Sequence, residues 1–226
     1  MTNASHKPAD RSERILRLPP LYPIIDVDLC RHRGMDPIAL AEAFLRGGTR
    51  LLQVRQKGWQ GGGAESLATI REIVRLAAPL RASVVVNDRA DMAVMAGAAG
   101  VHVGQEDLPP DVVRSIVGEQ RIIGLSTHTP EQVDHGLATA ADYIAVGPVF
   151  GTSTKDTGYD ARGLELVRFA AGRGKPIVAI GGIALGNAKS VLDAGAASVA
   201  VISDLLQGGS PAERIREFLS VAQPIP

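Results

Sequence analysis

The sequence alternates eight times between a short β-branched apolar run and a longer segment with helical spacing. Near-continuous apolar runs of this length are typical of parallel strands that are covered on both faces. Eight such pairs in one domain favour a closed barrel over an open, doubly wound sheet. We predict strands at residues 21–26, 50–54, 83–87, 100–103, 121–125, 142–146, 176–180 and 197–202.

The helical segments support the same architecture. Asp36-Pro37 and Thr129-Pro130 each pair an N-cap residue with proline at the first helical position. Helices are predicted at residues 36–46, 64–78, 89–96, 109–117, 130–140, 163–171, 187–194 and 212–222. The predicted fold class is α/β, a single (β/α)8 TIM barrel over residues 18–226. Residues 1–17 are polar and are expected to form a disordered or loosely attached N-terminal tail.

Length and charge limit the kind of partner. With 226 residues the chain approaches the roughly 250 residues typical of such a barrel. Its 24 basic and 24 acidic residues give a net charge of zero, so no overall field attracts nucleic acid or an anionic membrane. The single Cys30 cannot form an internal disulfide, and no apolar stretch approaches the roughly 20 residues that span a bilayer. We expect a cytoplasmic protein that acts on small molecules, and we leave a homo-oligomer open.

Polar and glycine residues stand at the ends of the predicted strands. Because the carboxyl ends of parallel barrel strands open onto one face, distant parts of the chain can meet there on one ligand. Arg55 and Lys57 lie two apart after the second strand, so extended geometry projects them to the same side. Such a pair suits a polyanion such as a diphosphate, although a solvated basic pair is also common.

Two carboxylates follow neighbouring strands. Asp88 comes after the third strand and Asp107 after the fourth, and adjacent strands lie about 5 Å apart. Carboxylates with no nearby cysteine suit Mg²⁺, which proteins hold with one or two carboxylates plus substrate phosphates. The alternative is that each carboxylate caps the helix that follows it. The nearby cations favour the metal site.

The last two strands end in residues suited to phosphate. Gly181-Gly182 and Ile202-Ser203 occupy the place where many barrels bind phosphate with backbone N–H groups. A lone glycine pair more often forms a plain turn, but Ser203 at the next strand end favours the phosphate site.

The widest irregular segment lies at residues 147–162. Such a loop inside a compact domain is often functional, so it is interpreted as a flap, with a plain surface loop as the alternative. It offers three hydroxyls and an ammonium group, from Thr152, Ser153, Thr154 and Lys155.

Two histidines need an interpretation. His102 lies inside an apolar strand, so a packed, hydrogen-bonded histidine is predicted rather than a catalyst. Ser126 and His128 suggest a hydrolase dyad, but neither a Gly-x-Ser-x-Gly elbow nor an evident orienting acid accompanies them. Ser126 is therefore interpreted as a ligand contact.

Seven stretches, taken in order, resemble the thiamine-phosphate synthase family, whose fold is a (β/α)8 barrel. Individually these stretches are weak signals, but together they are specific. Val54 and Gln56 depart from the family, which more often has leucine and glutamate there. The stretches are Gln-Val-Arg-Gln-Lys at 53–57, Val-Asn-Asp at 86–88, Gly-Val-His-Val-Gly-Gln-Glu-Asp at 100–107, Ile-Gly-Leu-Ser at 123–126, Gly-Pro-Val-Phe at 147–150 with Thr-Ser-Thr-Lys at 152–155, Ile-Gly-Gly-Ile at 180–183 and Val-Ile-Ser at 201–203.

This resemblance implies a transferase that joins hydroxymethylpyrimidine diphosphate to a thiazole phosphate, giving thiamine monophosphate and diphosphate. It implies that Asp88 and Asp107 hold Mg²⁺. The pyrimidine diphosphate would be bound by Gln53, Arg55, Lys57, Asn87, Ser126 and Lys155. The thiazole phosphate would be bound by Thr152, Thr154, Gly182, Ile202 and Ser203. Catalysis would involve Arg55, Lys57, Ser126 and Lys155.

Two other functions stay open at this point. The thiazole tautomerases are similar barrels that isomerise the thiazole phosphate without coupling it. A catalytically silent sensor would bind the thiazole phosphate through Gly182 and Ser203 and would release no diphosphate.

Overall fold

Eight parallel strands close into a barrel in chain order, with the first strand paired to the last. The structure is a computed structural model that describes residues 16–58, 62–151 and 158–221. The predicted barrel is confirmed, and every predicted strand is present with its ends shifted by at most two residues. The strands are β1 (Leu21–Asp26), β2 (Leu51–Arg55), β3 (Ser83–Asn87), β4 (Gly100–Val103), β5 (Ile122–Thr127), β6 (Tyr143–Val146), β7 (Ile177–Ala179) and β8 (Ser198–Val201).

Helices cover the outside of this barrel. Among the described residues, no helix combines the length and the apolar character needed to cross a membrane. The helices are α1 (Val27–His32), α2 (Pro37–Gly47), α3 (Gly62–Ala77), α4 (Ala90–Met95), α5 (Pro110–Val117), α6 (Pro130–Ala138), α7 (Glu165–Ala170), α8 (Leu185–Asp193) and α9 (Pro211–Val221).

The helix α1 was not predicted. It has only six residues and follows β1 directly, without a glycine or proline turn. A helix this short gives no periodic signal that could be separated from the apolar strand before it. Asp26 is the N-cap residue of α1, and its carboxylate accepts a hydrogen bond from the amide of Leu29 at 2.9 Å.

The predicted helix starts are confirmed where their capping residues were identified. The carboxylate of Asp36 accepts from the amide of Ile38 at 3.0 Å. The hydroxyl of Thr129 accepts from the amide of Gln132 at 3.3 Å. These side chains satisfy donors that the first helical turn leaves unpaired, which fixes where α2 and α6 begin.

The apolar core has two parts. The larger part packs the outer faces of the strands against the helices. The smaller part fills the barrel interior, and Leu16 and Leu18, which precede β1, pack against it. Residues 1–15 of the predicted tail lie outside the described residues. The interior part consists of Tyr22, Leu51, Val85, Tyr143, Ala145, Val178 and Ala200.

Candidate active site

A cavity of about 240 Å³ lies at the carboxyl ends of the strands. Each of the eight strands contributes at least one lining residue, from Tyr22 on β1 to Ala200 on β8. Residues far apart in the sequence therefore meet on one space, as the barrel geometry requires. The predicted site residues that line it are Gln53, Arg55, Asn87, Ser126, Gly182, Ile202 and Ser203.

One side of the cavity presents hydrogen-bond donors. Arg55 forms an ion pair with Asp26, and their side chains are only 12% and 5% exposed. Within the described residues, Nε of Arg55 and Nδ2 of Asn87 are buried and have no hydrogen-bond partner. Buried polar groups rarely stay unpaired, because each one costs free energy comparable to a lost hydrogen bond. This side is therefore suited to a ligand rich in acceptor oxygens.

A lysine and two carboxylates lie beside this donor-rich side. The ammonium of Lys57 pairs with the carboxylate of Asp88. Burial raises the pKa of Asp88, Lys57 opposes this, and Asp107 raises the pKa further. Asp107 in turn accepts a hydrogen bond from the amide of Gly104 at 2.7 Å. The two carboxylates are therefore close enough to repel one another. None of these three charged residues lines the cavity itself.

The alternative that these carboxylates cap helices is wrong. The residues at the N-cap positions of α4 and α5 are Arg89 and Pro109, and neither start has a side-chain cap bond. Asp88 instead has a φ of 62°, a left-handed conformation that is uncommon outside glycine. Its amide donates to the carbonyl of His102 at 2.7 Å.

The opposite side of the cavity is built from glycine backbone. Gly181 and Gly182 have φ angles of 88° and 66°, which glycine adopts at no steric cost. A Cβ on Gly182 would lie 2.6 Å from the carbonyl oxygen of Gly151. In the part of the chain that is described, neither glycine amide finds an acceptor. Open amides of this kind suit an anion.

His102 has the surroundings that were predicted, and Ser126 lies next to it in the cavity wall. The imidazole of His102 shares hydrogen bonds with the hydroxyl of Tyr143 at 2.9 Å and with the hydroxyl of Ser126 at 2.8 Å. It is thus a packed, hydrogen-bonded histidine, as predicted, but it also lines the cavity. His128 bonds to the carbonyl of Gly147 at 2.6 Å. It does not form a dyad with Ser126.

The predicted flap is described only at its flanks. The amide of Phe150 donates to the carbonyl of Gly181 at 3.1 Å, and the amide of Gly163 donates to the carbonyl of Val149 at 2.9 Å. These hydrogen bonds hold the two flanks of the flap next to the cavity, and Gly151 is one of the lining residues. The flap role stays a prediction, because the residues that carry it lie outside the described ones: Thr152, Ser153, Thr154 and Lys155.

Sequence reasoning missed three residues of the site. Asp26 ends β1 as Asn87 ends β3, so the same rule of polar strand ends could have found it. Tyr22 and Tyr143 lie within strands, and no role in the site was predicted for them. The hydroxyl groups of these tyrosines could have indicated polar contacts in the barrel interior, because a buried tyrosine normally has a hydrogen-bond partner.

Comparison with known proteins identifies the family. The sequence model described as Thiamine monophosphate synthase matches residues 21–205. The chain belongs to the thiamine monophosphate synthase family. The match includes all eight strands and every predicted site residue from Gln53 to Ser203. The resemblance found in the sequence is confirmed.

Individual members of this family are similar over most of their length. The thiamine-phosphate synthase of Koribacter versatilis is 44% identical over 212 residues, which cover 91% of this chain and 97% of that relative. The thiamine-phosphate synthase of Caldicellulosiruptor saccharolyticus is 40% identical over 189 residues, covering 83% and 85%. The solved thiamine phosphate pyrophosphorylase from Pyrococcus furiosus superposes with a TM-score of 0.79 at 30% identity, covering 89% of this chain and 94% of the other. The chain is therefore an enzyme, a transferase.

Proposed function

We propose that the protein is a thiamine-phosphate synthase. It couples hydroxymethylpyrimidine diphosphate to a thiazole phosphate and gives thiamine monophosphate and diphosphate. The observation that carries the proposal is that one cavity has unpaired hydrogen-bond donors among the residues on two of its sides. Arg55 and Asn87, each of which has one buried donor without a partner, line one side, and the amides of Gly181 and Gly182 have no acceptor within the described residues on the other. Two substrates that each carry phosphate fit this arrangement.

The diphosphate belongs on the donor-rich side. Arg55 offers a planar set of donors that matches phosphate geometry, and its ion pair with Asp26 holds it in place. Lys57 adds a second cation near the same strand ends. Gln53, Asn87 and Ser126 add polar groups along the lining, and Lys155 is expected to complete the charge.

Mg²⁺ fits beside the diphosphate. Asp88 and Asp107 would supply carboxylate oxygens. Burial raises the pKa of Asp88 and the nearby Asp107 raises it further, and a bound cation would offset both effects. Among the described residues, three or more potential metal ligands do not gather anywhere. Proteins commonly hold Mg²⁺ with one or two carboxylates and with substrate phosphate, and this is the ligand set that we propose. When bound there, Mg²⁺ supplies charge neutralisation for the diphosphate.

The thiazole phosphate belongs on the glycine side. Its phosphate oxygens can accept from the amides of Gly181 and Gly182, and Ile202 and Ser203 line the same space. Ser203 begins a short 3-10 turn, Ser203–Leu206, at the end of β8. The hydroxyls of Thr152, Ser153 and Thr154 are expected to add to this side from the flap.

The chain positions the substrates and stabilises charge. The bond between the pyrimidine methylene carbon and the diphosphate oxygen breaks, and its electron pair leaves with the diphosphate. The thiazole nitrogen then donates its lone pair to that carbon, so no protein nucleophile is needed. Arg55, Lys57 and Lys155 take up the developing negative charge, which is the form of catalysis that fixed cations perform best.

The donor-rich side also bears on the two alternatives. A thiazole tautomerase acts on a single phosphate ester and has no diphosphate to bind, so it gives Arg55, Lys57 and the two carboxylates no role. A silent sensor would need only the glycine side.

Equilibrium binding of each substrate alone tests the proposal. We expect the pyrimidine diphosphate to bind only with Mg²⁺ present, and the thiazole phosphate to bind without it. The double variant Asp88→Asn, Asp107→Asn should lose the first interaction and retain the second. Thiazole phosphate binding with no Mg²⁺-dependent binding of the diphosphate would support a tautomerase or a sensor instead.

A further inference from the structure

A chain of hydrogen bonds crosses the barrel interior beneath the cavity. The amide nitrogen of Gln53 donates to the hydroxyl of Tyr22 at 3.2 Å, and that hydroxyl lies 3.1 Å from the hydroxyl of Tyr143. Tyr143 continues to Nδ1 of His102 at 2.9 Å, and Nε2 of His102 lies 2.8 Å from the hydroxyl of Ser126. Gln53 and Ser126, the two ends, both line the cavity. We call this chain of five side chains the interior relay.

The number of protons that each group carries determines which group donates and which accepts in every hydrogen bond of the interior relay. The hydroxyl of Tyr22 accepts from Gln53, so its own proton can go only to Tyr143, its other hydrogen-bond partner. Tyr143 then donates its proton to Nδ1 of His102. A neutral imidazole carries one proton, which is therefore on Nε2 and is donated to the oxygen of Ser126. The proton of the Ser126 hydroxyl remains free to point at a ligand.

Burial keeps both phenol groups protonated. Tyr22 is 1% exposed and Tyr143 is fully buried. Burial is the main reason that the pKa of each lies well above its ordinary value. Each phenol therefore has one proton to give across the pH range in which enzymes work, so the direction of the interior relay does not change with pH on their account.

The backbone leaves room for the interior relay. A Cβ on Gly124 would lie 2.1 Å from Cζ of Tyr143 and 2.5 Å from Nδ1 of His102. Gly124 pairs directly with both of these residues, on the two strands that flank β5. Any larger residue at position 124 would therefore occupy the space in which Tyr143 meets His102.

We propose that Tyr143 and His102 are positioning residues for the transferase reaction: they fix the proton of His102 on Nε2 and thereby aim the hydroxyl proton of Ser126 at the substrate. The group that Ser126 meets is an acceptor, such as an oxygen of the diphosphate. This assignment rests on the proposed function for the identity of the substrate. The proton positions within the interior relay do not depend on it.

Nitrogen-15 NMR of the histidine side chains tests the proton positions in the ligand-free enzyme. The chain has 5 histidines, and the signals of His102 are identified by their loss in His102→Gln. We expect protonated Nε2 and unprotonated Nδ1 in the wild type. Tyr143→Phe should abolish this preference. Tyr22→Phe should preserve it, since the proton of Tyr143 still has His102 as its acceptor. A proton on Nδ1 in the wild type would overturn the proposal.

Kinetics test whether the interior relay acts through Ser126. We expect Tyr143→Phe to lower kcat about tenfold, as the loss of one well-placed hydrogen bond would, with KM for the thiazole phosphate unchanged. On a Ser126→Ala background the same substitution should have no further effect. Full additivity of the two substitutions would mean that Tyr143 has only a structural role.

The two tests separate the proposal from the proposed function. If the enzyme makes no thiamine monophosphate, the proposed function fails, and the NMR experiment still decides the proton positions. If product forms but the tautomer of His102 is the opposite one, only the interior relay is wrong.

Discussion

Gly124 and Tyr143 face one another across the interface of β5 and β6, and a Cβ on the glycine would lie 2.1 Å from the tyrosine ring. Barrel interiors are normally filled by apolar side chains in layers. Here the missing side chain admits a phenol, which joins His102 at 2.9 Å. A polar connection from Gln53 to Ser126 is thus built into the layer that forms the cavity floor.

Gly124→Ala should damage both stability and activity. The added methyl group must displace Tyr143 or His102, and overpacking of a filled core typically costs about 1–3 kcal/mol in the free energy of unfolding. Urea unfolding measures this cost, and steady-state kinetics measure the loss of kcat. Gly186→Ala is the matched control, because no atom lies within 4 Å of its added Cβ. Equal behaviour of the two variants would show that position 124 is not crowded.

Asp26→Asn should weaken diphosphate binding. The substitution keeps a side chain that can cap α1 but removes the negative charge that holds Arg55. We expect kcat/KM for the pyrimidine diphosphate to fall about tenfold. The free energy of unfolding should fall by about 2 kcal/mol, less than the ~3–5 for a fully buried pair, because Arg55 borders the cavity. The control is Asp36→Asn, which makes the same substitution at the N-cap of α2, where the carboxylate accepts from backbone amides and not from a cation of the site. An unchanged KM in Asp26→Asn would contradict the role given to this ion pair.

The barrel could be predicted from the sequence because its signals are local. Each strand is a continuous apolar run, and helix starts such as Asp36-Pro37 have their capping residue beside them. The helix α1 was missed because its six residues extend the apolar run of β1 and carry no periodicity of their own.

The site could be predicted only in part. The polar strand ends revealed Arg55, Asn87 and Ser126, because barrel geometry brings every strand end to one face. The partners of these residues depend on which interior side chains meet across the barrel. Tyr22 and Tyr143 are 121 positions apart, and no local pattern indicates that their hydroxyls lie 3.1 Å from each other.

The charge on Asp88 should lower stability at neutral pH. Burial raises the pKa of Asp88, so just above the ordinary aspartate value the folded protein binds more protons than the unfolded chain. The free energy of unfolding therefore falls as pH rises through this window. Asp88→Asn removes the charge and should be more stable than the wild type at neutral pH. This gain should shrink as pH falls toward the ordinary aspartate value of about 4, and it should be lost below that pH, where both the folded and the unfolded chain carry a protonated Asp88.

Thermal unfolding from pH 3 to pH 8, without Mg²⁺ or substrates, measures this effect. Asp91→Asn is the control of opposite sign, because a hydrogen bond from Arg89 lowers the pKa of Asp91. Removal of the Asp91 charge should slightly lower the free energy of unfolding at neutral pH and should leave it unchanged at low pH. At the same time Asp88→Asn should lose most of its activity. A loss of stability in Asp88→Asn that grows with pH would contradict the environment described for this carboxylate.

Gly182→Ala should affect the thiazole phosphate selectively. The added Cβ meets the carbonyl oxygen of Gly151 at 2.6 Å, and alanine is strained at a φ of 66°. The amide of Gly182 would then be displaced from the anion. We expect KM for the thiazole phosphate to rise about tenfold, with KM for the pyrimidine diphosphate nearly unchanged. The comparison is again Gly186→Ala, close by in α8. A rise confined to the other substrate would reverse the assignment of the two sides.

The most direct test of the proposed function is a product measurement on the purified protein. The protein is incubated with hydroxymethylpyrimidine diphosphate, the thiazole phosphate and Mg²⁺, and thiamine monophosphate and diphosphate are quantified in the same samples. We predict equal amounts of both products, formed only when both substrates are present, abolished by EDTA and restored by added Mg²⁺. Isomerised thiazole phosphate without diphosphate release, or bound thiazole phosphate with no product at all, would contradict the assignment as a synthase.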